Sequence, residues 1–153
     1  MNLYLVRHAE AKHGAEESER GLSEKGAADM EKVARFAAGE GVKVGLILHS
    51  GKTRAKETAE VMGRHLKPEK GVEESDALTP DDDPWVWAER VSDREEDLML
   101  VGHMPYMEGL ASLLVAGDIN GKVVEFRMGS IVSLRRDCGK WSVAWMVTPG
   151  VVG

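Results

Sequence analysis

Three apolar runs that each stop at a basic residue constrain this chain more than any other feature of its sequence. Residues 2–6 form the first run, which ends abruptly at Arg7-His8. Residues 42–48 form the second, followed by His49-Ser50-Gly51 and then Lys52 and Arg54. Residues 97–101 form the third, followed by Gly102-His103-Met104-Pro105. Runs this short and this apolar read as strands buried in a sheet. Helical spacing lies between them. Ser23 opens a helix with apolar positions Ala27, Met30, Val33, Ala34 and Ala37, closed by Gly39 and Gly41. Residues 52–66 place Ala55, Thr58, Ala59 and Met62 on one face, and Pro68 stops them. A loop is expected over 9–23, a short extended piece near 71–73, and helices over 84–91 and 105–115. Residues 130–135 and 140–147 read as two strands joined by a turn at Asp137-Cys138-Gly139. The alternation predicts an α/β fold: a three-layer α/β/α sandwich with a mainly parallel sheet and an antiparallel edge hairpin. It is expected as a single domain over 1–153, a normal size for one core.

The net charge of −6 argues against non-specific binding to nucleic acid or an anionic membrane, so any phosphate site must be a concentrated positive spot on an acidic body. Cys138 is the sole cysteine, so no internal disulfide forms, which fits a reducing compartment. No stretch approaches the length of a membrane span, and the N-terminal residues show no basic leader. The expected location is cytoplasmic.

In open parallel sheets, ligands bind beyond the carboxyl ends of the strands. Arg7, His8, His49, Lys52, Arg54 and His103 are therefore expected to converge there from three loops. Two of those loops run into helices, whose N-termini carry unpaired N–H groups and partial positive charge. Together these describe a site for a phosphate-like dianion, and the arginine fork suits it. Each histidine alone is more simply a turn residue; the coincidence at three strand ends carries the reading. His13 and His65 lack such placement and read as surface residues. Trp85, Trp87, Trp141 and Trp145 read as packing groups, with Trp85 or Trp87 able to line the rim of the site. Gly51-Lys52-Thr53 imitates the tail of a P-loop, but that motif needs glycine at position 46, where this chain has leucine.

Arg7-His8-Ala9-Glu10 resembles the Arg-His-Gly motif of the histidine phosphatase (phosphoglycerate-mutase-like) superfamily, with alanine in place of the usual glycine. The stretch from Ser50 to Ala59 resembles its second signature, Ser-Pro-x-x-Arg-Ala-x-x-Thr, with Gly51 where proline is usual. Gly102-His103-Met104-Pro105 resembles the third. Arg20-Gly21-Leu22-Ser23, Leu78-Thr79-Pro80, Gly129-Ser130-Ile131 and the closing Trp145 to Pro149 are similar to the bacterial protein phosphohistidine phosphatases.

The resemblance implies that His8 is the nucleophile, that Arg7 and Arg54 bind phosphoryl oxygens, and that His103 is the second pocket histidine, acting in protonated form. Arg20 and Ser50 are implied at the substrate. A histidine attacks only when neutral, with one ring nitrogen bearing a lone pair, and a backbone carbonyl is the expected acceptor that fixes the other. Water would then release inorganic phosphate from phospho-His8. Neither a cofactor nor a metal is expected, since no metal-ligand spacing is present. Candidates for a general acid are Glu10, Asp81, Asp82 and Asp83, none singled out by the sequence. Imidazole leaves more readily than an alkoxide, so a weakly defined acid favours a partner protein bearing phosphohistidine. A small phosphate ester as substrate, and a catalytically silent phosphate- or nucleotide-binding module, are the alternatives.

Overall fold

The computed structural model describes residues 1–14 and 16–152; Ala15, inside the stretch read as a loop, and Gly153 lie outside them. The strands are β1 (Asn2–Arg7), β2 (Leu46–His49), β3 (Val72–Glu74), β4 (Leu98–Gly102), β5 (Ile131–Asp137) and β6 (Lys140–Val147). The helices are α1 (Glu24–Gly39), α2 (Thr53–Leu66), α3 (Pro84–Ser92) and α4 (Tyr106–Ala116), with a short 3₁₀ turn at Glu17–Glu19.

Successive side chains of a strand point to opposite faces, and here both faces are apolar. Tyr4 and Val6 of β1 and Met99 and Val101 of β4 join α1 and α2 in one core. Leu3, Leu5, Leu98 and Leu100 join α3 and α4 in the other. This is why the strands read as uninterrupted apolar runs, and why the expected three layers form. No helix among the described residues is long and apolar enough to cross a membrane.

The sheet order is β3-β2-β4-β1-β5-β6. The first four strands are parallel, while β5 and β6 run antiparallel at one edge. Register decides the position of the site. Arg7 pairs with Gly102 and His49 pairs with Val101. The main chain therefore leaves β1, β4 and β2 at one level, and His8, His103 and Ser50 step off the same end of the sheet. The His8 N–H extends the ladder by bonding Gly102 O at 2.9 Å.

Several boundaries differ from expectation. β2 begins at Leu46, not at residue 42, because its partners begin only there: Leu46 pairs with Leu98 and Ile47 with Val72. Val42 and Val44 are buried without a ladder. In α1, Ala27 faces solvent and Gly26 takes the buried place. A Cβ at residue 26 would sit 2.1 Å from Glu10 O, so only glycine lets the helix approach the loop that follows His8. Ser23 caps this helix, its hydroxyl accepting from Gly26 N–H at 3.0 Å. The β5–β6 strands continue to Asp137 and Lys140, leaving Cys138 and Gly139 as a two-residue turn with φ of 51° and 75°. Positive φ at both positions is what a tight hairpin turn requires. Trp87 is buried, Trp85 is exposed, Trp145 packs on Tyr4, and Trp141 lies under the Arg136 guanidinium.

Candidate active site

His8 leaves β1 with its ring turned back on its own chain: Nδ1 lies 2.7 Å from Ala9 O. A carbonyl oxygen can only accept, so Nδ1 carries the proton and Nε2 keeps the lone pair. The expected backbone acceptor is thus the next residue. The peptide that supplies it is fixed in turn, since Ala9 N–H donates to Thr58 Oγ1 at 3.2 Å. The Thr58 hydroxyl donates to Arg54 O at 2.8 Å. Thr58, read from sequence as part of the buried face of α2 and of the second signature, therefore fixes the peptide that holds the His8 ring. Burial first, then the charges of Arg54, Arg7 and Arg20, lower the His8 pKa to about 4, against the opposing pull of the Ala9 carbonyl. At neutral pH the ring is uncharged, as nucleophilic attack demands.

His103 stands beside it, with ring centroids 5.1 Å apart and planes tilted by 53°. Its Nε2 lies 2.6 Å from Ser50 Oγ, and its buried Nδ1 has no protein partner. Burial, then His8, Arg54 and Lys52, lower its pKa to about 3. Burial and the nearby Arg54 and Lys52 charges thus favour a neutral His103 before substrate binds, in place of the protonated form expected from sequence. Arg7 is anchored by Nη1 donating to Phe126 O at 3.0 Å, and its Nε is buried and unpartnered. Arg54 is buried, with its charge compensated by a residue the sequence reading missed. Its Nη1 donates to Glu17 O at 2.8 Å and its Nη2 to the Glu17 carboxylate. Lys52 Nζ meets the same carboxylate at 2.5 Å. These contacts hold Glu17 ionised, with its pKa lowered to about 2. Neither α2 nor α4 has a side-chain cap at the N-terminus it brings to this end of the sheet.

The remaining expected residues separate by geometry. Arg20 acts on His8 through its charge. Ser50 contacts His103 and accepts from Lys52 N–H at 3.3 Å, bracing the turn. His49 does not join the cluster: its Nδ1 accepts from Gly51 N–H at 3.1 Å, and its charged neighbours are Glu74, Glu60 and Lys56. His65 is only partly exposed, bonded to Glu31 at 2.6 Å. Three of the four general-acid candidates are occupied elsewhere. Glu10 accepts from the Ser23 hydroxyl at 2.7 Å. Asp82 accepts from Thr79 N–H and Oγ1, and Asp83 caps α3 through Trp85 N–H. Asp81 is exposed, and with Asp82 it lines a cavity of about 460 Å³ over Tyr106. None of the four is among the charges that shift either imidazole. Gly51 has φ of +92°, a value proline cannot adopt, which explains its departure from the usual signature. Among the described residues no cluster of three or more His, Cys, Asp or Glu side chains is arranged to hold a metal ion.

The two imidazoles have a consequence for stability. Each has its pKa lowered on folding, so between pH about 4 and the ordinary value of 6.5 the unfolded chain binds more protons than the folded one. Stability then rises with pH across that window. The thermal midpoint is expected to fall as pH drops from 7 towards 4, and replacing His103 by Gln should flatten that profile. Thermal melts across pH check it.

The family model described as the histidine phosphatase superfamily (branch 1) matches residues 3–79. Comparison with curated protein sequences finds no match. Among solved structures, the protein histidine phosphatase SixA complexed with tungstate superposes with a TM-score of 0.90 at 23% identity, covering 100% of both chains. A proposed phosphohistidine phosphatase SixA from Agrobacterium tumefaciens gives 0.82 at 25% identity, covering 97% of each. The alpha-ribazole phosphatase from Shigella flexneri gives 0.78 at 12% identity, again over 97% of each. The matched segment spans β1 to the start of the loop before α3, and so contains His8, Arg7 and Arg54, while the whole-chain superpositions extend the same fold to the strand that delivers His103. On these grounds the chain belongs to the histidine phosphatase superfamily.

Proposed function

We propose that this phosphatase acts through a phospho-His8 intermediate and that its substrate is a protein-borne phosphohistidine. The observation that carries the proposal is the His8 ring, uncharged at neutral pH, its Nδ1 proton committed to Ala9 O and its Nε2 free among Arg7, Arg54 and His103. In the first step Nε2 attacks phosphorus in line; the new N–P bond forms as the bond to the leaving group breaks. In the second step water attacks phosphorus, and inorganic phosphate leaves His8. Charge developing on the equatorial oxygens is met by Arg7 and Arg54 and by His103, which takes up a proton once the dianion offsets its cationic neighbours. No step calls on a metal ion, because the guanidinium groups carry the positive charge.

The substrate class rests on the leaving group. An alkoxide must be protonated as it departs, whereas imidazole departs readily. The carboxylate that does reach the cradle, Glu17, is held ionised and has no proton to give at neutral pH. The SixA proteins, named for phosphohistidine, support the same choice. A role in signalling within the cytoplasm follows if the substrate is a phosphorelay protein. The alternative, a small phosphate ester, has support from the alpha-ribazole phosphatase fold. Turnover of a phosphohistidine peptide should exceed that of an alkyl phosphate under the same conditions; faster hydrolysis of the alkyl ester would favour the alternative.

A further inference from the structure

Both terminal nitrogens of Arg54 point at one residue, Glu17. The same carboxylate also takes the Lys52 ammonium, and its charge reaches His103. Only Nη2 meets the Glu17 carboxylate, Nη1 being held by the Glu17 main-chain carbonyl, so a phosphoryl oxygen and the Glu17 side chain compete for Nη2 and for the Lys52 ammonium. The Arg54 side chain is 6% exposed and cannot turn away to find a second anion, whereas Glu17 is 53% exposed and can leave. We propose that Glu17 is an internal competitor for the phosphoryl site, displaced when substrate binds, and that it sets the anion selectivity of the enzyme.

Charge sets the outcome of the exchange. Glu17 brings one negative charge, on a side chain that already belongs to the protein and so occupies the cradle at no translational cost. A carboxylate from solution offers the same charge without that advantage and does not displace it. A phosphoryl dianion offers twice the charge to Arg7, Arg54 and Lys52 and does. Glu17 therefore filters out singly charged anions and weakens binding of product phosphate, which favours its release. Neither neighbouring loop glutamate does this: Glu16 and Glu19 make no ion pair with Arg54 or Lys52.

This inference rests on the reading of the pocket as a phosphoryl site, so its test does not depend on turnover. Inorganic phosphate is titrated calorimetrically into the full chain and into Glu17→Gln and Glu17→Ala variants. Phosphate affinity is expected to rise roughly tenfold in both, the low end for hydrogen bonds between charged groups, and acetate should compete measurably only in the variants. With substrate, KM should fall, and kcat should fall with it because product phosphate leaves more slowly. Unchanged or weaker phosphate binding in the variants, with phosphate still binding the parent chain, would overturn the competitor role and make Glu17 a brace for Arg54. No phosphate binding in any of the three would overturn the phosphoryl-site reading together with it.

Discussion

Replacing His8 by alanine is expected to abolish phosphatase activity, lowering kcat by at least about a thousandfold, because removing a nucleophile leaves only the contribution of binding and electrostatics. The His8 ring makes one hydrogen bond, to the carbonyl of the following residue, and the main-chain bonds of His8 do not depend on it. Ala9 N–H remains held by Thr58, and Arg54 by Glu17, when the imidazole is gone. The variant should therefore fold and still bind phosphate. It should also relieve His103 of one of the groups that depress its pKa. Steady-state kinetics with a phosphatase substrate, together with a phosphate titration, separate these effects. Activity within tenfold of the parent would mean that another group attacks phosphorus.

Arg54→Ala is expected to cost the next largest amount, roughly a hundredfold to a thousandfold in kcat/KM, the range for losing one preorganised donor to a developing oxyanion. Arg54→Lys should recover only part of it, because an ammonium cannot supply the two parallel hydrogen bonds of the guanidinium edge. A second effect identifies the mechanism. Arg54 is the first of the charges that hold the His8 pKa down. Without it, His8 should protonate at higher pH, so the acid limb of kcat/KM, expected near about 4 in the parent, should move upward. The pH–rate profile of the variant reads this directly. A loss of rate with an unmoved acid limb would mean that Arg54 binds substrate without tuning the nucleophile.

The parts of this site that the sequence makes legible are those set by strand geometry. A strand buried on both faces must be apolar throughout, so the points where β1, β2 and β4 end are visible as the first basic residues after each run. Parallel register then brings Arg7, His8, Arg54 and His103 together. What stays hidden depends on single contacts. Ala9 O cannot be picked out as the acceptor for His8, because every residue has a carbonyl. Glu17 lies in a polar loop between residues of the same kind, and only folding places it, not Glu16 or Glu19, against Arg54. Glu10, two residues after His8 in sequence, is drawn off to the start of α1 by Ser23. The misplacement of Ala27 has a similar cause: helical period gives a face to within one residue, and the close approach of Glu10 O selects Gly26 for the inner position. The early start expected for β2 reflects a limit of another sort, since Val42 and Val44 are buried like strand residues while no neighbouring strand reaches them.

In the proposed reaction a neutral imidazole with its Nδ1 occupied takes up the phosphoryl group. Rapid acid-free quenching during turnover, followed by mapping and ³¹P NMR of the trapped chain, tests it most directly. Phosphate is expected on His8 alone, attached through Nε2 and absent from the His8→Ala chain. Phosphate on Nδ1 of that ring, or on any other side chain, would contradict it.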